Sequence, residues 1–145
     1  MACADGASGK ASAREAILHH SLELGFLTGD EKRSMLDAHY NAAVLVGLPF
    51  ASTNQPYDFG KQDISKRIAS DVQTMIKERL TPPREEIYTL HRRLNGCFQL
   101  ASRVDAKISA REILLAVHAA HQWHGDEAAP KEPRQAQAEM FAAAV

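Results

Sequence analysis

One stripe of apolar residues limits this chain more than any other feature. Ile64, Ile68, Val72, Met75, Ile76 and Leu80 recur at three- and four-residue steps, while Lys66, Arg67, Asp71, Lys77 and Glu78 fall off the stripe. That period belongs to a helix with one buried face. Burying the stripe is worth about 10 kcal/mol gross, at ~1.5–3 kcal/mol per side chain and before entropy is subtracted, so this helix needs a body to pack against. No run of strictly alternating apolar residues exceeds four or five positions, and the expected fold class is all-α.

Four further helices give about five in all. The first is predicted from Ser12 to Leu24, on a partial stripe of Ile17, Leu18, Leu22 and Leu24, with Gly25 as terminator. The second is predicted to open at Thr28, which forms a capping box with Glu31, and to run to Val46. Its second half, Ala42 to Val46, is apolar on every side, the pattern of a helix enclosed by neighbours. After the stripe helix, Thr81-Pro82-Pro83 ends one helix and starts the fourth, with Glu85 and Glu86 suited to the positive end of its dipole. Ile87, Leu90, Leu94, Cys97, Phe98 and Ala101 are its expected buried face. The fifth starts at a second capping box, Ser109 with Glu112, with Ile108 and Ile113 placed as a hydrophobic staple. Residues 1–124 are expected to form the helical portion, and 125–145, rich in Ala, Glu, Gln and Pro, a disordered tail.

The totals exclude several function classes. A formal charge of -1, from 17 basic and 18 acidic residues, creates no field that would draw nucleic acid. The longest apolar run, Ala42 to Leu48, is too short to span a bilayer, and no transmembrane segment or targeting segment is expected. Cys3, near a terminus expected to be mobile, and Cys97 make no disulfide framework, and no zinc ligand set appears. His118, His121 and His124 fan over about 120° of helix and do not converge on one metal. His19 and His20 point apart, with no Cys, Asp or Glu expected at ligand spacing on the face of either. Lys66, Arg67, Arg79, Arg84, Arg92 and Arg93 are interleaved with acids and read as solvated faces. There is no G-x-S-x-G elbow for a nucleophile.

The tripeptide Asp58-Phe59-Gly60 has the letters that hold a catalytic magnesium in protein kinases, but phosphoryl transfer needs several groups together. The 57 residues before it contain no G-x-G-x-x-G, no strand lysine motif and no H-R-D. Asp37-Ala38-His39-Tyr40-Asn41 imitates a catalytic loop, but its Asn comes one residue early and it falls mid-helix. The tripeptide therefore reads as a decoy in a surface turn built on Asn54, Pro56, Asp58 and Gly60.

Phe26-Leu27-Thr28-Gly29, Asp37-Ala38-His39, Pro49-Phe50-Ala51-Ser52, Tyr57-Asp58-Phe59-Gly60, Arg79-Leu80-Thr81-Pro82-Pro83 and the segment from Glu86 to Gly96 follow one another as in a known family. The chain resembles the UbiB/AarF/ADCK family of atypical kinase-like proteins, in its mitochondrial branch tied to coenzyme Q (ubiquinone) biosynthesis. The similarity runs from about Ala2 to Trp123 and corresponds to the helical end of the family's C-terminal lobe, downstream of its ATP-binding and catalytic motifs.

The resemblance implies that Asp58 matches a second, non-catalytic Asp-Phe-Gly of that late helical region. It implies an intact protein that binds ATP with magnesium and acts as an ATPase or unorthodox kinase in mitochondria. For this chain alone it carries over no catalytic, cofactor-binding or metal residue, and no cofactor. Glu86, Tyr88, His91, Arg92, Gly96 and Phe98 match a family segment whose expected use is packing. Three origins stay open: a gene or splice fragment, a duplicated piece, or a larger enzyme whose start was misplaced. A rival reading is a helical interaction module that docks a protein partner through an exposed apolar face involving Val44, Val46 or Leu48.

Overall fold

The computed structural model describes residues 1–51, 55–61 and 64–121; the expectations for the 125–145 tail, Trp123, His124 and Asn54 lie outside them. In chain order the elements are α1 (Ala2–Ala7), α2 (Ala13–Glu23), α3 (Arg33–Gly47), a 3-10 turn (Leu48–Phe50), β1 (Tyr57–Asp58), α4 (Ile64–Glu78), α5 (Glu85–Arg103), β2 (Lys107–Ile108) and α6 (Ala110–Ala120). The fold is helical, as the periodicity predicts. The departure among the described residues is a two-residue antiparallel bridge, Tyr57 opposite Ile108 and Asp58 opposite Lys107. None of the described helices is long and apolar enough to cross a membrane.

The core gathers where α2, α3 and α4 meet. Met35 is fully enclosed, Phe26 and Leu27 are buried against it, and Leu18, Leu36, Met75 and Ile87 close the cluster. Helix α2 ends as predicted at Gly25, whose φ of +75° suits a residue without Cβ. Phe26 N–H donates to Ser21 C=O at 2.8 Å and Gly25 N–H to Leu22 C=O at 3.0 Å, a Schellman closure that turns Phe26 inward.

Four expectations are corrected. The N-terminus is helical and docked: α1 lies against α3. Its small side chains permit this approach, since a Cβ on Gly47 would stand 2.1 Å from the Cys3 carbonyl oxygen and one on Gly6 3.0 Å from Ile17 Cδ1. Helix α3 starts at Arg33 instead of Thr28. Only the carboxylate half of the Thr28–Glu31 box forms: Thr28 N–H and Gly29 N–H donate to the Glu31 carboxylate at 2.7 and 2.9 Å, but the Thr28 hydroxyl donates to that carboxylate too instead of accepting from Glu31 N–H, and Gly29 at φ +100° closes the segment into a turn. Pro82 and Pro83 lie in the connection before α5, leaving Glu85 and Glu86 in its first turn as predicted. At α6 the boundary is as expected, but Ser109 makes no side-chain cap bond and Ile113 of the proposed staple is 56% exposed.

The stripe on α4 is buried at Ile64 and partly at Ile68, Val72 and Met75, while Ile76 and Leu80 reach solvent. Helix α5 departs further from its expected face. None of its residues is buried, and Leu90 and Cys97 are exposed. Val44, Val46 and Leu48, the residues expected in an exposed patch, are half-buried.

A methyl group at Gly47 has nowhere to go but into the backbone of α1. Gly47→Ala should lower unfolding free energy by about 1–3 kcal/mol in urea titration, as for other overpacked sites, and amide exchange should accelerate selectively across residues 2–7. Unchanged exchange there would mean that α1 does not rest on this glycine.

Candidate functional site

The Asp58-Phe59-Gly60 tripeptide is a fastening between β2 and α5. Asp58 sits in the bridge with β2, and its carboxylate faces Lys107 Nζ at 3.6 Å and Lys61 Nζ at 3.9 Å. Lys61 N–H donates to its other oxygen at 3.3 Å. Phe59 is buried, its ring centroid 4.8 Å from that of Tyr57 and 5.6 Å from that of Phe98. The Phe59 N–H donates to Ala106 C=O at 3.0 Å, and its own carbonyl accepts from Ser102 Oγ at 3.1 Å. Gly60 lies close to Asp105: a Cβ there would stand 2.3 Å from Asp105 Oδ1 and 3.2 Å from Asp105 Cα, so a side chain would have to displace the Asp105 carboxylate. The segment is thus more deeply built in than the surface turn expected from its turn residues.

A magnesium ion does not suit this surrounding. Mg2+ is held by carboxylates, waters and substrate phosphates, whereas Asp58 has two ammonium groups for neighbours. Among the described residues no group of three or more His, Cys, Asp or Glu is placed to hold a metal ion.

The catalytic-loop mimic is mid-helix, as predicted, and Asp37, His39 and Tyr40 are engaged within the fold while Asn41 is exposed. Asp37 is ion-paired to Arg14, whose guanidinium also lies 4.9 Å from the Tyr40 ring centre. His39 is buried against Ser21 Oγ at 2.8 Å. Because the Ser21 hydroxyl donates to Ile17 C=O at 2.7 Å, the network assigns the imidazole proton to Nε2, donating to Ser21.

His39 opens onto the second constellation. The Phe26 ring lies 5.6 Å from His39 and stacks on His91 at 5.1 Å with 23° between planes. Burial holds His39 below the usual histidine range, and the Arg79 guanidinium and His91 push it the same way, against the carboxylate of Glu31. Burial and then Arg79 also lower His91, although the residue as a whole is exposed. Arg79 itself is half-buried and lowered by burial. Burial raises the Glu31 carboxyl, but the hydrogen bonds from Thr28 and Gly29 outweigh it and leave it lowered.

The remaining singled-out residues divide between packing and surface. His19 and His20 both reach Glu23, at 3.5 and 2.8 Å, a spacing of four and three residues that corrects the expectation of no carboxylate within reach. His118 is exposed on α6, with His121 at its C-cap. Within the α5 segment, Phe98 packs on Phe59 and Phe50, Arg92 lies 5.9 Å from the Tyr88 ring centre, and Glu86 and Gly96 face outward. Arg79 departs from a solvated face in being half-buried, whereas Arg84 is exposed as expected, its Nε 3.2 Å from where a Cβ on Gly25 would be.

No protein-family model matches the chain. Comparison with curated proteins finds relatives in several kingdoms. The chain is 42% identical over 105 residues to the mitochondrial atypical kinase coq-8 of Caenorhabditis elegans, covering 72% of this chain and 14% of that protein. It is 41% identical over 109 residues to mitochondrial atypical kinase COQ8B of Danio rerio, covering 75% and 17%. It is 37% identical over 107 residues to mitochondrial atypical kinase COQ8 of Saccharomyces cerevisiae, covering 73% and 21%. The chain belongs to the UbiB family of atypical kinases.

The UbiB chain therefore spans between about a seventh and a fifth of the length of these relatives. The relatives are COQ8 proteins of the coenzyme Q branch, and their names carry the mitochondrial location that the resemblance implies. The motifs of the resemblance meet in space at two places. Phe26, Glu31, His39, Arg79 and His91 gather at one end of α5, and Phe50, Tyr57, Phe59 and Phe98 at the other.

Two results follow from this geometry. Asp58→Asn should cost under about 1 kcal/mol, since its ion pairs are long and partly exposed, whereas Phe59→Ala should cost about 3–5 kcal/mol, both by urea denaturation. The reverse order would show that the charge, and not the ring, carries the segment. For the two histidines, the unfolded chain takes up protons first as pH falls below about 6.5, because the folded values are lower. Their contribution is complete above that pH and is lost as pH falls toward the depressed folded values. Unfolding free energy should drop between pH 7.5 and 5.5, with a shallower drop in His39→Gln.

Proposed function

We propose that this chain is the non-catalytic C-terminal helical part of an atypical kinase-like protein of mitochondrial coenzyme Q biosynthesis, and that it performs no phosphoryl transfer by itself. The observation that carries the reading is the use made of Asp58-Phe59-Gly60: the carboxylate is spent on two lysines, the ring on an aromatic cluster and the glycine on a close approach. A kinase site also needs a lid, a strand lysine and a catalytic loop, and none is among these 145 residues. ATP and magnesium belong, on this reading, to the intact family and not to this chain. Differential scanning fluorimetry should give no magnesium-dependent shift in melting temperature with ATP. A magnesium-dependent stabilisation that disappears in Asp58→Ala would overturn the reading.

A second reading, a helical module that docks onto a full-length COQ8-type relative, is favoured by exposed apolar side chains on α5 and α6. Leu90 is 59%, Leu100 64% and Val104 66% exposed, with Ile113 and Val117 also open to solvent. Large apolar side chains left open to solvent are the raw material of interaction faces when they lie together. Isothermal titration against a purified full-length COQ8-type protein should then show saturable binding that Leu100→Asp weakens at least about tenfold, the loss expected when a charge enters an apolar contact. Heat that is unchanged in that variant would exclude this face.

A further inference from the structure

We propose that Thr81 is a phosphorylation site for a proline-directed serine/threonine kinase, presented by the connection between α4 and α5. The sequence offers such an enzyme a single acceptor. Of its 6 prolines only Pro82 follows a Ser or Thr, and Thr81-Pro82-Pro83-Arg84 carries a basic residue three positions after the acceptor, the pattern these kinases read. Each position has a chemical reason. A proline has no backbone N–H, so it suits a pocket that would leave an amide donor without a partner. A guanidinium three residues on can be held by acidic groups of the enzyme.

The fold presents these four residues outside any helix, since α4 ends at Glu78 and α5 starts at Glu85. The chain bends at Leu80 and Thr81 and then runs extended. Proline fixes φ at positions 82 and 83, a residue before proline is kept out of the helical region, and Arg84 has φ -58° and ψ 150°. Among the described residues no backbone–backbone hydrogen bond ties Leu80, Thr81, Pro82 or Pro83; those on either side are Arg79 N–H to Met75 C=O at 3.1 Å and Tyr88 N–H to Arg84 C=O at 3.0 Å. The Thr81 hydroxyl contacts Pro82 C=O at 3.4 Å, longer than an O–H···O bond prefers, so little holds it back from reaction. Leu80, Pro82 and Arg84 are exposed and Thr81 is half-buried. An enzyme therefore engages the segment without unwinding a helix.

In the reaction Thr81 Oγ1 forms a bond to the γ-phosphorus of ATP, the bond from that phosphorus to the β–γ bridging oxygen breaks, ADP leaves, and the hydroxyl proton passes to the catalytic carboxylate of the kinase. The product carries a charge of about -1.5 to -2 at pH 7. An extended proline run has three residues per turn, which brings positions 81 and 84 to the same side, about 9 Å apart. A phosphothreonine and an arginine span that distance together. The exposed Arg84 guanidinium then pairs with the phosphate in place of its contact with Gly25, and the start of α5 gains a charged tie to the connection that precedes it.

The test is incubation of the whole folded chain with a purified cyclin-dependent kinase and magnesium ATP, read by intact mass and by fragmentation. One phosphoryl group is expected, on Thr81, with Thr81→Ser still modified and Thr81→Ala and Pro82→Ala left unmodified. Arg84→Gln should lower kcat/KM about tenfold, the scale of one charge-assisted bond. A synthetic peptide of residues 77–88 should show the same dependence on Pro82 and Arg84, which guards against a variant that fails to fold. In phosphorus NMR of the modified chain the second ionisation of the phosphate should fall below its ordinary value of about 6 and return toward it in Arg84→Gln. Label on another Ser or Thr, label indifferent to Pro82→Ala, or label that appears only once urea has unfolded the chain would overturn the site. A phosphate titration indifferent to Arg84→Gln would overturn the pairing. No arm of the test uses Asp58 or the open faces of α5 and α6, so its outcome is separable from those of the proposed function.

Discussion

The aromatic joints at the two ends of α5 are the interactions on which the rest of this structure depends. No residue of this 19-residue helix is fully buried, and to the core cluster it contributes the partly buried Ile87. It is fixed near its start by the stack of His91 on Phe26 and near its end by Phe98 against Phe59 and Phe50. The polar bonds reinforce the same two points: Ser102 reaches the Phe59 carbonyl, and Ala106 accepts from the Phe59 amide. Ring pairs of this kind contribute about 0.5–1.5 kcal/mol each beyond area burial, enough in number to register a helix but too little to bury it.

The same joints explain why motifs far apart in the chain read as one family signature. Phe26 with its glycine turn, His39, Arg79 and His91 are separate in sequence and adjacent in space, as are Phe50, Phe59 and Phe98. Asp58-Phe59-Gly60 shows that letters alone do not fix chemistry. An aspartate beside phosphates holds a metal; this one, facing two lysines across a short bridge, holds a strand pair.

Much of the helical frame is legible from periodicity and terminators, because both are local. Gly25 ends α2 through its positive φ, and the α4 stripe predicts a helix from Ile64. The Thr28–Glu31 pair shows the limit of such local reading. The carboxylate half of the expected capping box is made, yet the Thr28 hydroxyl turns to the same carboxylate, Gly29 diverts the backbone and the helix begins at Arg33. Helix α1 escaped notice because its six residues carry no stripe; the usable signal was small residues on both partners, Gly6 and Gly47. The carboxylate shared by His19 and His20 was missed although its three- and four-residue spacing was present in the sequence.

The sequence by itself determined that this is a helical UbiB-family chain, where most helices stand, and that its Asp-Phe-Gly lacks a kinase's companions, since propensity, periodicity and motif order are properties of the chain. Only the tertiary structure decided which apolar faces are covered and which charges meet. Leu90 and Leu94 look alike in the pattern, yet one is exposed and the other half-buried. Arg79 is one arginine among many until the fold sets it beside His39 and His91. Burial and electrostatic environment depend on neighbours distant along the chain, and those neighbours exist only once the helices have packed.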